Sequence, residues 1–245
     1  MPSEATTASP SYSSDNPAVW RFNGKGDTAV TRCPICDYTC ETFQNKTQTV
    51  TFYSCPNCLY IFKDPSAYLS EADEKARYLQ HRNAVDDPTY IDYFERFIDG
   101  SIRADLHPNK SVLDFGSGPQ PVFAELLRSR YGMKVDIFDP FFAADETVLK
   151  KAYDIVTCTE VLEHIRDPIR AFLQFQGLVK PGGLLAIMTQ LHPQNERDFL
   201  QWFYPRDITH VSFFAEATFR VLGERFGFEM KRSDHRHAIV LRRKQ

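Results

Sequence analysis

The sequence predicts an α/β protein: a doubly wound parallel sheet of seven strands, preceded by a small cysteine ribbon. Three observations carry this. Short apolar runs alternate with amphipathic helical runs from residue 111 onward; a strand, tight turn and helix signature occupies Ser111 to Pro121; and two Cys-x-x-Cys pairs sit close together upstream.

The organising stretch is SVLDFGSGPQP, residues 111–121. An apolar triplet ends on Asp114, and Gly116 and Gly118 follow before Pro121 opens a run with Val122, Phe123, Leu126 and Leu127 at helical spacing. A chain that leaves a strand and re-enters as a helix takes backbone angles that a Cβ obstructs, and bare backbone there lets a nucleotide-like ligand approach.

At 245 residues, 42% apolar and 25% charged, the chain has ordinary globular composition and can bury a sizeable core. A net charge of −3 gives no electrostatic footprint for polyanions, so nucleic acid is disfavoured as a partner. No apolar run approaches a membrane span and the N-terminus lacks the pattern of a secretory signal, so a cytoplasmic location without membrane attachment is expected. Five of the six cysteines lie between positions 33 and 58, which favours metal over disulfides in such a chain.

Residues 1–30, rich in Ser, Thr, Pro and Ala, are expected to be a disordered leader. Residues 31–63 read as a ribbon: Cys33-Pro-Ile-Cys36 and Cys55-Pro-Asn-Cys58, separated by eighteen residues, bring four thiolates around a structural Zn2+ with a hairpin between them. Cys40 is a bystander. Residues 64–110 read as a helical linker that lids the cofactor. Ser70 with Asp73 starts one helix, Asp87-Pro88 caps another with Ile91, Phe94, Ile98 and Ile102 on its buried face, and Tyr78 and His81 lie in a polar junction that is either a fold over the cofactor mouth or a solvated helix end.

In the core, residues 111–245, a second strand over 134–138 ends on Asp139, twenty-one residues beyond Gly118, where an acid accepts from both ribose hydroxyls of a nucleoside. A strand from Tyr153 to Thr159 leads into Glu160 and His164; Asp167-Pro168 caps a helix; Lys180-Pro-Gly-Gly183 turns into a strand over 184–188. A helix from about Ala215 is stopped by Gly227, and two terminal strands complete the sheet. Trp202 to His210 combines aromatic rings with Tyr204, Asp207 and His210, a composition suited to a small polar substrate.

As a set, VLDFGSG (112–118), Asp139, YDIVTCTEVLEH (153–164) and LVKPGGLLAIMT (178–189) resemble the class I S-adenosylmethionine-dependent methyltransferases, over about residues 76 to 241. The ribbon is similar to the N-terminal cysteine module of small bacterial methyltransferases, including some that act on sugars. The resemblance implies a Rossmann-like methyltransferase sheet and S-adenosylmethionine as cofactor. It places Asp114, Gly116, Ser117 and Gly118 along the methionine moiety, Asp139 on the ribose with Pro140 and Phe141 beside it, and Thr159 and Glu160 near the sulfonium or substrate. Two departures stand out: Gln120 replaces the third motif glycine, and only about a dozen residues separate Asp139 from the fourth strand, so no adenine-contacting acid can be assigned and Phe141, Phe142 and Asp145 take its place.

Methyl transfer from a sulfonium needs alignment and exclusion of water, with a positioned base if the acceptor must lose a proton. His210, Asp207, Tyr204, Glu160 and His164 are the candidates, with His192 beside them. The expected function is therefore methyl transfer to a small-molecule acceptor. An RNA methyltransferase using the ribbon as a reader would want basic surface and an Asn/Asp-Pro-Pro-Tyr-type segment where Thr159-Glu-Val-Leu stands. A nucleotide-dependent oxidoreductase would want glycine at Pro121. A non-catalytic ribbon protein that binds a partner is the third alternative.

Overall fold

The computed structural model describes residues 31–45, 49–80 and 87–245. The predicted leader and His81 lie outside the described residues. The ribbon's hairpin forms between the cysteine pairs as β1 (Glu41–Asn45) and β2 (Val50–Ser54), antiparallel with Phe43 opposite Phe52. A third strand, β3 (Ile61–Lys63), pairs with β2. Next come α1 (Glu71–Tyr78) and α2 (Pro88–Ser101), each started by the predicted cap: Ser70 Oγ accepts from the Asp73 N–H at 3.2 Å, and Asp87 Oδ1 from the Thr89 N–H at 2.9 Å.

The core runs β4 (Ser111–Phe115), α3 (Val122–Tyr131), β5 (Lys134–Phe138), β6 (Tyr153–Thr159), α4 (Pro168–Leu178), β7 (Val179–Met188), α5 (Glu196–Gln201), β8 (Ser212–Phe213), α6 (Glu216–Phe226), β9 (Phe228–Ser233) and β10 (Ala238–Arg243). Its main sheet has the order β5-β4-β6-β7-β10-β9, six strands among the described residues and not the seven expected. Residues 140–152 are too few for a helix and a further strand, because a parallel crossover alone takes a dozen or more residues. They form a loop with a short 3-10 turn, Val148–Lys150, and β5 is left as the edge. Nor is the sheet all parallel: β10 runs antiparallel to both β7 and β9.

Period-two alternation sends neighbouring residues to opposite faces, and both faces are buried. Leu113, Val156, Cys158, Leu185, Ile187, Ile239 and Leu241 pack with α4 and α6 through Phe172, Phe175, Phe219 and Leu222. Val112, Ile155, Leu184, Ala186, Met188 and Val240 pack with α2 and α3 through Phe94, Phe97, Phe123 and Leu127. This is the doubly wound arrangement, and it leaves the carboxyl ends of β4, β5 and β6 as the crevice.

The ribbon joins this core directly. β3 pairs with β8, Ile61 opposite Phe213 and Phe62 opposite Ser212. The Tyr60 and Ser212 hydroxyls lie 2.7 Å apart, and Thr218 donates to the Cys58 carbonyl at 2.9 Å. Phe52, Ile61, Phe199, Tyr204 and Phe213 form one cluster across the junction. Phe213→Ala, at a fully buried position, is expected to cost about 3–5 kcal/mol. Thermal unfolding checks this, and a loss under 1 kcal/mol would show that the junction is not a packed core.

Candidate active site

At the end of β4 the glycine turn is closed by sterics. Gly116 has φ +82°, and a Cβ there would lie 2.3 Å from Val161 Cγ2, so no larger residue fits without displacing the segment after β6. The N–H groups of Gly116 and Ser117 both donate to the Phe138 carbonyl, at 2.7 and 3.2 Å. Asp139 gathers the neighbouring backbone: its Oδ2 accepts from the Gly118 N–H at 2.9 Å, and its Oδ1 from Phe141 and Phe142 at 2.9 and 3.1 Å. Ser117 Oγ is buried and finds no hydrogen-bond partner among the described residues. Gly118, at φ +68°, has open space where its Cβ would be, and a bare turn with an orphaned hydroxyl fits a polar ligand. Gln120 and Pro140 are exposed.

Asp114 is buried beneath the turn and accepts from Thr157 Oγ1 at 3.1 Å. Burial pushes its carboxyl up to about 7, against the Thr157 hydrogen bond.

Beyond β6 the chain takes a strained step at Glu160, φ +53°, whose N–H donates to the Met188 carbonyl at 2.7 Å. The Glu160 carboxylate accepts from Tyr93 at 2.9 Å and from Tyr204 at 3.4 Å. Burial, with Glu163 nearby, pushes it up to about 8. Glu163 is fully buried; its Oε2 accepts from Thr189 at 2.8 Å, while Oε1 has no hydrogen-bond partner among the described residues and lies 4.0 Å from His164 Nε2. His164 Nδ1 is 3.2 Å from the Thr209 carbonyl and His210 Nδ1 is 2.9 Å from that of Tyr204. The two imidazoles meet edge to face at 4.7 Å. Burial, then the neighbouring His164, pushes His210 down to about 3. Tyr78 of α1 packs on both His164 and Phe141, with centroids at 5.2 and 5.9 Å, so the segments after β5 and β6 meet under one helix.

Glu160, His164, Tyr204 and His210 therefore converge, and Thr159 is buried at the end of β6 just before them. Asp207 faces elsewhere. Its carboxylate accepts from Thr209 N–H and O–H at 2.9 and 2.7 Å and lies 3.6 Å from Arg77. Burial opposes its charge, but the Thr209 donors with the His210 and Arg77 charges outweigh this and hold it at about 2. His192 lies between the Leu59 and Pro193 carbonyls, at 2.6 and 2.8 Å, and ties the end of β7 to the ribbon. Tyr93 and Glu163 are the members of the cluster that sequence reading missed. Tyr93 stands one residue off the apolar stripe of α2, a hydroxyl beside Phe94, and Glu163 is the second acid of EVLEH.

In the ribbon, the Sγ atoms of Cys33 and Cys58 are 3.5 Å apart and those of Cys36 and Cys55 are 3.4 Å apart. All four sulfurs lie within 4.8 Å of one another, whereas Cys40 stands outside this group.

Comparison with known proteins adds the family. A family described as "Methyltransferase domain" matches residues 89–232, more than half of the chain. The chain belongs to this family. The methyltransferase match begins in α2 and takes in every strand of the main sheet up to β9, in keeping with a class I S-adenosylmethionine-dependent fold. The ubiquinone biosynthesis O-methyltransferase of Azotobacter vinelandii is 30% identical over 117 residues, covering 40% of this methyltransferase-family chain and 50% of its own length. Its counterpart from Saccharophagus degradans is 40% identical over 79 residues, covering 31% and 32%. The chain thus spans half or less of the curated relatives it matches. An O-methyltransferase family protein from Burkholderia thailandensis superposes with a TM-score of 0.51 at 16% identity, over 70% of this chain and 63% of that one, a likeness of fold alone. No helix among the described residues is long and apolar enough to cross a membrane.

The raised carboxyl of Asp114 sets a pH dependence. A folded-state value near 7 against about 3.9 when unfolded means that the native protein binds the proton more tightly, so stability is present at low pH and lost as pH rises towards 7. Wild type is expected to lose about 3 kcal/mol more than Asp114→Asn between pH 5 and pH 8 in cofactor-free unfolding. Parallel pH profiles for the two proteins would refute the assignment.

Proposed function

We propose that this chain transfers a methyl group from S-adenosylmethionine to a hydroxyl of a small organic acceptor, and that the ribbon holds a structural zinc ion. The observation that carries the reading is the continuity of two features. The bare Gly116–Gly118 turn with its orphaned Ser117 hydroxyl leads, through the Gly116–Val161 contact, straight into the cluster of half-buried Glu160, His164 and His210 around buried Tyr204.

When bound, the cofactor supplies an electrophilic methyl on a sulfonium, displaced in line. Asp114, Gly116, Ser117 and Gly118 would line its methionine part. Asp139, with two oxygens and lone-pair capacity beyond its three backbone donors, would accept from the ribose hydroxyls. Tyr78 and Phe141 would wall the cleft and exclude water, with Pro140 at its rim. Glu160, its carboxyl pushed up to about 8 by burial, would stand at the acceptor end and take up the acceptor's proton in its ionised form, and Tyr204 and the two imidazoles would orient the acceptor hydroxyl. The names of the O-methyltransferase relatives agree with an oxygen acceptor.

The four sulfurs suit zinc, because thiolates about 2.3 Å from a tetrahedral ion stand roughly 3.8 Å from one another. A closed four-thiolate site has no open position, so its role here is to hold the ribbon.

Titration calorimetry with S-adenosylhomocysteine is expected to show binding by wild type and a loss of at least about tenfold in Asp139→Ala, the measure of one lost charge-assisted hydrogen-bond set. No binding by wild type, or equal binding by both, overturns the cofactor assignment. For the ribbon, atomic emission after dialysis against a weak chelator is expected to find zinc retained in wild type and lost in Cys55→Ser. Zinc-free wild type would overturn the metal.

A further inference from the structure

We propose that Glu163, His164 and His210 form a second metal site, for a borderline divalent cation such as Mn2+, Fe2+, Co2+ or Zn2+, at the acceptor end of the cleft. The proposal rests on reading this cluster as the acceptor end and deepens it, since it names what would meet the acceptor oxygen.

The geometry has three independent parts. One ligand atom from each of the three residues lies within 4.8 Å of the others, although Glu163 and His164 follow β6 and His210 precedes β8. Each imidazole has its Nδ1 against a backbone carbonyl, Thr209 for His164 and Tyr204 for His210, at 3.2 and 2.9 Å. That contact places the proton on Nδ1 and makes Nε2 the nitrogen with the lone pair, the arrangement by which metal-binding histidines are oriented. Glu163 Oε1, fully buried and without a hydrogen-bond partner among the described residues, lies 4.0 Å from His164 Nε2. A buried carboxylate oxygen is costly to leave unmatched, and a cation between it and the two nitrogens would match it.

Two neutral imidazoles and one carboxylate are a donor set for borderline metals more than for Mg2+ or Ca2+, which favour oxygen ligands. At bond lengths of about 2.0–2.2 Å adjacent ligand atoms stand roughly 3 to 3.5 Å apart, so the three groups need close by only about an ångström. Three protein ligands leave further positions open, where an acceptor hydroxyl oxygen could bind and its proton be made more acidic. Thr189, donating to Glu163 Oε2 at 2.8 Å, supports the carboxylate from behind.

The test uses the full chain with its cysteine site already filled with zinc and loosely held metal removed by a weak chelator. Co2+ is then titrated in and followed by visible absorption and calorimetry. One Co2+ per chain is expected, with weak d–d bands and without the intense charge-transfer absorption of a cobalt thiolate. His210→Ala and Glu163→Gln are each expected to weaken it by at least about tenfold. Absence of saturable binding, a thiolate spectrum, or unchanged affinity in both variants overturns the site. Should Glu163→Gln fail to fold, His210→Ala carries the test, its fold checked by S-adenosylhomocysteine binding. Failure of wild type to bind S-adenosylhomocysteine overturns the cofactor reading, while the cobalt titration still decides the metal site.

Discussion

The contact on which the rest of the site depends is the seating of Val161 against the bare backbone of Gly116. With a Cβ at residue 116 the two would interpenetrate, so the turn after β4 and the segment after β6 can lie together only because one has no side chain. That contact fixes Glu160 next door, whose left-handed backbone is held by the Met188 carbonyl. The distance from the glycine turn to the polar cluster is therefore set by a close contact of backbone against side chain in a densely packed interior.

Around this contact the molecule concentrates charge where water is scarce. Asp114 and Glu163 are buried and Glu160 is half-buried, and each is pushed towards its neutral form. Such an arrangement costs stability, and it persists because the apolar layers on both faces of the sheet over-determine the strand ends from which these residues project. Asp207 shows the opposite environment: wrapped by Thr209 and facing Arg77, it stays ionised and braces the loop. Acids around the same cluster thus differ in charge state, and burial and hydrogen-bond partners decide which.

The ribbon is part of the same construction. β3 and β8 share a ladder, Lys63 donates to the Asp207 carbonyl at 2.8 Å, and His192 bridges the end of β7 to the second cysteine knuckle. The segment from Trp202 to His210 is consequently pinned between the ribbon and the sheet.

Much of this was legible locally. The cysteine spacing, the caps at Ser70, Asp87 and Asp167, the glycine turn and the acid at the end of β5 are each fixed by a few adjacent residues, because backbone angles, capping and metal chelation are short-range demands. The sequence by itself thus determined the α/β class, the family resemblance and the position of the crevice. Only the tertiary structure decided how many strands the sheet holds, because strand number depends on whether residues 140–152 can span a crossover. Only it separated Asp207 from the converging residues, brought Tyr93 of α2 onto Glu160, and set Glu163 and His164 beside His210 from a distant segment. Those pairings are made across long stretches of chain, where packing of the whole core, and not the pattern around any one residue, selects the neighbour.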